Sequence, residues 1–390
     1  VTEPIEVSTH ASIRDLGEAE YRALLRPETP PFLRFEWLDA LERTGAVAPN
    51  RGWLPMHLAF RKGGETIAAA PAYVKGNSEG EFVFDHAWAR YAHGELGVSY
   101  YPKLVVSVPF TPATGPRLLV KEGAHEAEIF DAFTVALRRV AEHAGLSSAH
   151  VLFPSEDQAS ACAARGMLER HGVQFHWQNG GYRTFDDFLA RFDAKRRHQI
   201  RRERRELAER GVSLDVLTGS ELRTSDADFV FDFYVATVDK FPWGRRYLSR
   251  AFFEEVLASM PESLHVVVAT DRAGKRRLGG AFNLLGKHAL YGRYWGALAE
   301  VPFLHFNVCF YKGIEEAIAR GLATFEPGAG GEHKRARGFE PTVTRSVHHI
   351  VDRRLRAAIA DYLRREVPSV DEEVEEAESV LKPTSKPDSG

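Results

Sequence analysis

An α+β (mixed α/β) fold, built twice along the chain around central mixed sheets, is what the sequence predicts. Three observations carry this. An order of strand, helix, helix, antiparallel strands, helix and strand occurs twice. Ile67 and Leu278, in matching hairpins, are 211 residues apart. Pro154 and Pro327, which close matching strands, are 173 apart. The smaller spacing assigns the first copy an insertion over about 76–115. The length of 390 residues suits two domains.

In the first copy, Ile5 to Ser8 reads as a strand and 15–25 as a helix. Phe35, Leu38 and Leu41 recur at helical spacing in the next segment. Pro55 to Arg61 and Thr66 to Val74 flank Gly63 and Gly64 and read as a hairpin. Phe130, Phe133, Leu137, Val140 and Ala141 mark an amphipathic helix closed by Gly145. In the second copy, Val212 to Leu217 is a strand and 225–240 a helix. Phe252, Phe253, Val256 and Leu257 give the next helix, and Leu264 to Thr270 with Arg277 to Leu285 the hairpin. Phe310 to Gly321 is the late helix, and Leu322 to Pro327 the last strand. The expected organisation is a domain at 1–175, a connecting strand and basic helix at 176–211, a second domain at 212–365, and a tail at 366–390.

Composition narrows the function classes. The chain is 44% apolar and 27% charged, as globular proteins are. No apolar run is long enough to span a membrane. The acidic start lacks the features of a signal peptide. Cys162 and Cys309 are too few for a disulfide framework or zinc cluster, and no histidine spacing reads as a metal site. A cytoplasmic setting is therefore expected. The overall charge of −3 hides an asymmetry, because 366–390 holds eight acids and two lysines. That acid block, followed by a Pro/Ser/Lys end, predicts disorder from about 370.

The most basic segment is Lys195 to Arg210, with eight Lys or Arg against three Glu. Arg202 and Glu206, and Arg205 and Glu209, stand at i,i+4 and need no ligand. Lys195, Arg196, Arg197 and Arg201 have no acid within helical reach except Asp193, so this N-terminal end suits a phosphate of a nucleic acid or diphosphate. Phe325 to Phe339 places three glycines after a strand, where backbone N–H groups approach a ligand freely. Arg335 after Lys334 rules out a P-loop, and His333 replaces the third glycine of a dinucleotide fingerprint. What remains is a tight loop, with Gly328 and Gly330, presenting Glu332, His333 and Lys334. Lys334 there suits stabilisation of an acyl oxyanion. Alternation over Leu290 to Gly296 puts Arg293 with Tyr291 and Trp295, and Tyr294 on the other face. A carboxylate or phosphate would satisfy Arg293. In the insertion, Asp85 and His86 are the candidate general bases. Covalent catalysis is not expected, since no Gly-x-Ser-x-Gly elbow occurs.

Four stretches resemble the FemAB-like peptidoglycan biosynthesis/recognition family of tandem GNAT-fold proteins. They are Pro31 to Leu38, Tyr101 to Pro112, Lys195 to Arg205 and Phe325 to Lys334, and they span most of the body. The last is similar to the Phe-x-x-Gly-x-Gly-x-x-x-Lys pattern of Fem-type transferases, in which the lysine engages the transferred acyl carbonyl. The resemblance places that role on Lys334 and substrate contacts near Tyr101 and Lys103. It implies two tandem GNAT (acyl-CoA N-acyltransferase-like) domains, whose sheets splay open where acyl groups bind. The implied reaction is N-acyl or aminoacyl transfer to an amine acceptor, with a peptidoglycan precursor as the acceptor the family suggests. The donor is acyl-CoA or aminoacyl-tRNA, with no bound cofactor, and the basic helix is the expected tRNA contact. The long coiled-coil hairpin of some Fem proteins is absent, leaving only the helix at 193–210. The rival reading is a non-catalytic module that recognises cell-wall fragments or RNA.

Overall fold

The computed structural model describes residues 3–240, 244–274 and 276–381, without the side chains of Glu332 and of 377–381. The chain forms two compact units. Unit 1 comprises Val1–Gly172, Arg246–Met260 and Thr344–Val367; unit 2 comprises Val173–Arg245, Pro261–Val343 and Pro368–Gly390. The expected halves were contiguous, whereas two later segments pack with the first unit.

In unit 1, β1 (Glu6–His10), β3 (His57–Lys62), β4 (Glu65–Ala70) and β7 (Leu119–Val120) form one sheet in the order β1-β3-β4-β7. Gly63 and Gly64 turn the hairpin with φ of 60° and 79°, a region that favours glycine. The second sheet contains β2 (Trp53–Pro55), β5 (Ala72–Lys75), β6 (Lys103–Val106) and β8 (Ser148–Leu152). Its order is β15-β8-β6-β5-β2, where β15 is Glu340–Ile350. β6 runs parallel to β8, with Leu104 opposite Ala149 and Val106 opposite Val151. The helices are α1 (Glu18–Arg22), α2 (Phe35–Arg43), α3 (His86–Gly94), α4 (Glu126–His143) and α5 (Glu156–Ala163). Phe130, Phe133, Leu137 and Ala141 of α4 bury against Leu58, Phe60, Ala68 and Val151, as their spacing requires. The expected insertion of about 76–115 contains β6, which lies between β5 and β8 in the sheet. The same segment carries α3.

Unit 2 holds α6 (Phe185–Leu189), α7 (Ala194–Glu209) and α8 (Ala227–Val238). α9 (Arg250–Ser259) belongs to unit 1, where Phe252 meets Trp37 of α2 edge-on at 4.9 Å. The sheet of unit 2 has the order β10-β11-β12-β13-β14-β9. These strands are β9 (Leu168–Gln178), β10 (Val212–Thr218), β11 (Leu264–Asp271), β12 (Arg277–Leu285), β13 (Ala289–Ala297) and β14 (Thr324–Glu326). β10 to β13 pair antiparallel in sequence, while β13 and β14 are parallel. A Cβ on Gly296 would lie 1.8 Å from the Phe233 carbonyl oxygen, so α8 packs on β13 only because that residue is glycine. α10 (Leu304–Phe306) runs through the π-helical turn Asn307–Tyr311 into α11 (Lys312–Ala319). α12 (Arg353–Leu381) continues past 370, so helix replaces the disorder expected for 370–381; 382–390 lie outside the described residues. Val374, buried at 6% exposure, shows that one face of the acidic segment has an apolar residue to cover.

Candidate active site

Unit 2 brings the glycine loop to the end of its parallel strand pair. β13 and β14 pair from Ala289 with Thr324 to Tyr291 with Glu326, where the register ends. The next residues, Gly292 and Pro327, approach so closely that a Cβ on Gly292 would sit 3.0 Å from the Pro327 Cα. The loop then turns through Gly328, Gly330 and Gly331, all with positive φ of 74–94°. Those angles exclude most side chains and deliver the chain into the 3-10 helix Glu332–Arg337.

Lys334 points inward from this turn and is only 4% exposed. Its Nζ donates to the Gly328 carbonyl oxygen at 2.6 Å and to that of Ala329 at 3.4 Å. Burial pushes its pKa down to about 8. His176, buried nearby on β9, is pushed down to about 4 by burial and by the Lys334 charge. His305 stacks on Trp295 at 4.1 Å between ring centroids and lies 5.7 Å from the His333 ring. Burial lowers its pKa to about 4, with His333, Arg337, Lys334 and Lys240 adding to the effect. The imidazole is neutral at pH 7. His333 is exposed, and the Glu332 side chain lies outside the described residues.

The basic helix has the expected bounds. Asp193 caps α7 by accepting from the Arg196 N–H at 2.7 Å. Arg202 pairs with Glu206 and Arg205 with Glu209, each at 3.5 Å. Lys195 is exposed, whereas Arg196 bonds Gln199 and Arg197 donates to the Phe192 carbonyl. Arg201 is not without an acid: it pairs with Asp186 of α6 at 3.0 Å, a partner that tertiary structure supplies. Both of these side chains are more than half exposed, so the pair is weakly held.

Arg293 departs from the expected alternation. Phe282 pairs with Tyr294 and Asn283 with Gly292, which leaves Arg293 as the extra residue of a β-bulge. Its guanidinium lies 5.3 Å from the Tyr294 ring, and its buried Nε has no hydrogen-bond partner among the described residues. Tyr294 packs against Tyr234 of α8 at 5.1 Å and against Phe282, as a packing residue does.

Unit 1 answers the remaining expectations differently. Lys103 is 1% exposed and donates to Glu81 at 2.7 Å, to Asp85 at 2.5 Å and to Ser78 at 2.9 Å. Its charge is spent on internal carboxylates, so it is no phosphate ligand. Asp85 also accepts from the Tyr100 hydroxyl at 2.7 Å. Burial alone would raise its pKa, but the Lys103 charge outweighs that and holds the carboxylate well below its usual range. A buried, strongly ionised carboxylate is a poor proton acceptor, which corrects the expectation of a general base. Burial pushes Glu81, the other acid of the triad, up to about 7. His86 opens α3 on an exposed face beside the exposed Phe84, with 6.5 Å between rings. The hydroxyls of Tyr101 and Ser78 are 2.8 Å apart.

The sequence reading missed Glu203, Arg337 and His305. Arg337 stands one turn after Lys334, and that spacing was its only signal.

A family model described as FemAB-like, peptidoglycan biosynthesis/recognition, matches residues 12–384. The chain belongs to the FemAB-like family. FemX is similar in structure, with a TM-score of 0.53 at 11% identity, covering 91% of this chain and 100% of that one. A tandem GNAT protein from the clavulanic acid biosynthesis pathway gives 0.41 at 15% identity, covering 88% and 97%. L-PGS from Bacillus licheniformis gives 0.48 at 10% identity, covering 84% and 94%. None of the curated proteins matches the sequence. The likeness to FemX shows that this FemAB-like chain has the tandem GNAT-type fold. The family's description ties the chain to peptidoglycan biosynthesis or recognition. No helix among the described residues is long and apolar enough to cross a membrane.

Proposed function

We propose that this FemAB-like chain is an N-acyltransferase that joins an activated acyl or aminoacyl group to an amine of a peptidoglycan precursor, with Lys334 at the reacting carbonyl. The observation that carries this reading is a buried lysine on a glycine loop at the end of a parallel strand pair. A lysine ammonium has three N–H donors. The Gly328 and Ala329 carbonyls occupy two, and the third, which has no partner among the described residues, serves the acyl oxygen. The incoming amine adds to the acyl carbon and places negative charge on that oxygen. The C–N bond forms, and the C–O bond of an ester or the C–S bond of a thioester breaks with the leaving atom taking a proton. A pre-positioned cation in a poorly solvated site lowers the barrier because it needs no reorganisation when the charge appears.

Lys195, Arg196, Arg197 and Arg201 hold phosphate of the donor, acyl-CoA or aminoacyl-tRNA. Arg293, with its unpartnered buried Nε, takes a further anionic group. The proton lost by the amine ends on the leaving atom, because Asp85 and His305 both bind a proton too weakly at pH 7 to keep it. The test is incubation of the protein with each donor and a precursor bearing a free amine, with mass spectrometry of the acceptor. The acceptor gains the acyl mass with the wild-type protein and not with Lys334→Ala. An unchanged acceptor mass, with precursor or tRNA bound equally by both proteins, supports a recognition module instead.

A further inference from the structure

Glu203 sits in the middle of the basic helix yet does not serve that helix's charge balance. Glu206 and Glu209 pair outward along α7, whereas Glu203 turns inward and is 2% exposed. Its Oε1 and Oε2 accept from Arg337 Nη2 at 3.1 and 3.3 Å. Gln199 Nε2 donates to Oε1 at 3.0 Å, and the Tyr311 hydroxyl donates to Oε2. Asn307 Nδ2 donates to the Glu203 backbone carbonyl at 3.1 Å. The Arg337 guanidinium carbon lies 3.3 Å from the Phe306 ring centroid, and its Nη1 donates to the His333 carbonyl at 3.0 Å. His333 is the residue that precedes Lys334. One carboxylate thus grips the arginine that grips the turn carrying the lysine.

From this chain of contacts we infer that Glu203 is a positioning residue for Lys334, acting through Arg337 to hold the turn in which the lysine points inward. The inference rests on the reading of Lys334 as the group at the acyl carbonyl. Stability alone is a weak reason for such an arrangement, because a buried ion pair often breaks even against apolar packing. What it does supply is a fixed direction, since a guanidinium held on both sides has one geometry. The low pKa of Lys334 agrees with a closed turn, because a lysine free to reach water would recover its ordinary value. Among the described side chains, Cys309, His176, His305 and His333 interact electrostatically with Lys334, and none of these four is an anion at pH 7.

The test is quantitative labelling of lysines by acetic anhydride at fixed pH, read by mass spectrometry on the full chain. Lys75 and Lys103, both buried in unit 1, report opening of that unit, and Lys312, half-buried and paired with Glu315 and Glu316, reports opening of unit 2. Glu203→Ala should raise labelling at Lys334 about ten-fold or more while Lys75 and Lys103 stay slow, the pattern of local opening. Glu203→Gln keeps an acceptor for Arg337 and Tyr311 and should stay close to wild type. Arg337→Lys, which cannot bridge Glu203 and the His333 carbonyl together, should behave like Glu203→Ala and replaces it if that variant does not fold. Unchanged labelling at Lys334, or an equal rise at Lys312 or at Lys75 and Lys103, overturns the inference. Labelling needs neither donor nor acceptor. If it succeeds while transfer fails, the proposed reaction is wrong and the positioning role stands.

Discussion

Replacing Lys334 by Met should make the protein more stable and at the same time inactive. The folded environment lowers the lysine's proton affinity from 10.5 to about 8, so holding it charged costs about 3 kcal/mol at neutral pH. Methionine removes that cost and loses the hydrogen bond to the Gly328 carbonyl, worth about 1 kcal/mol. The net gain is about 1–2 kcal/mol, measured by urea denaturation of both proteins at pH 7. The pH dependence has a definite sign. Between about 8 and 10.5 the unfolded lysine holds its proton and the folded one does not, so wild-type stability rises with pH across that window. By about pH 9.5 roughly 2 kcal/mol of the cost has gone, and the variant's advantage vanishes. Transfer by the variant should fall about 10²–10³-fold if the ammonium serves the oxyanion. A variant less stable than wild type at pH 7, or a stability gap that ignores pH, would refute this reasoning.

Three further outcomes are expected. Lys103→Met strands Glu81 and Asp85 in the interior and should cost about 3–5 kcal/mol in denaturation, whereas a loss below about 1 kcal/mol would mean that the triad opens to water. Asp85→Asn should lose stability in the same assay; losing transfer at full stability would instead restore Asp85 as the base. Lys195→Gln with Arg201→Gln should change stability by under about 0.5 kcal/mol. For a tRNA donor, the same pair should flatten the log–log salt dependence of binding by about 0.7 per lost phosphate contact, and an unchanged slope removes the basic helix from donor binding.

The parts of the site legible in the sequence are those whose constraints are local. The glycines before Lys334 declare a loop because positive φ selects glycine. Arg202 and Glu206, and Arg205 and Glu209, declare a solvated helix face because each pair stands one turn apart. The repeat is legible because Phe35–Leu41 and Phe252–Leu257 bury at helical spacing, and because each hairpin turns on glycine. What stayed hidden depends on partners distant in sequence. Glu203 looks like another solvated acid until Arg337, 134 residues on, is folded against it. Lys103 looks like a surface cation until Glu81 and Asp85 enclose it. Arg293 breaks the alternation because a bulge adds one residue, and pattern alone gives no sign of it. The acid block after 370 suggests disorder from repulsion, but its register leaves Val374 on a coverable face.

Single-turnover transfer at saturating donor, comparing wild type with Lys334→Met, tests the central claim most directly. The account predicts that donor affinity is retained and that the rate of amide formation falls about 10²–10³-fold, because the lysine acts on the developing oxyanion. An unchanged rate, or a loss confined to donor affinity, would contradict the placement of Lys334 at the reacting carbonyl.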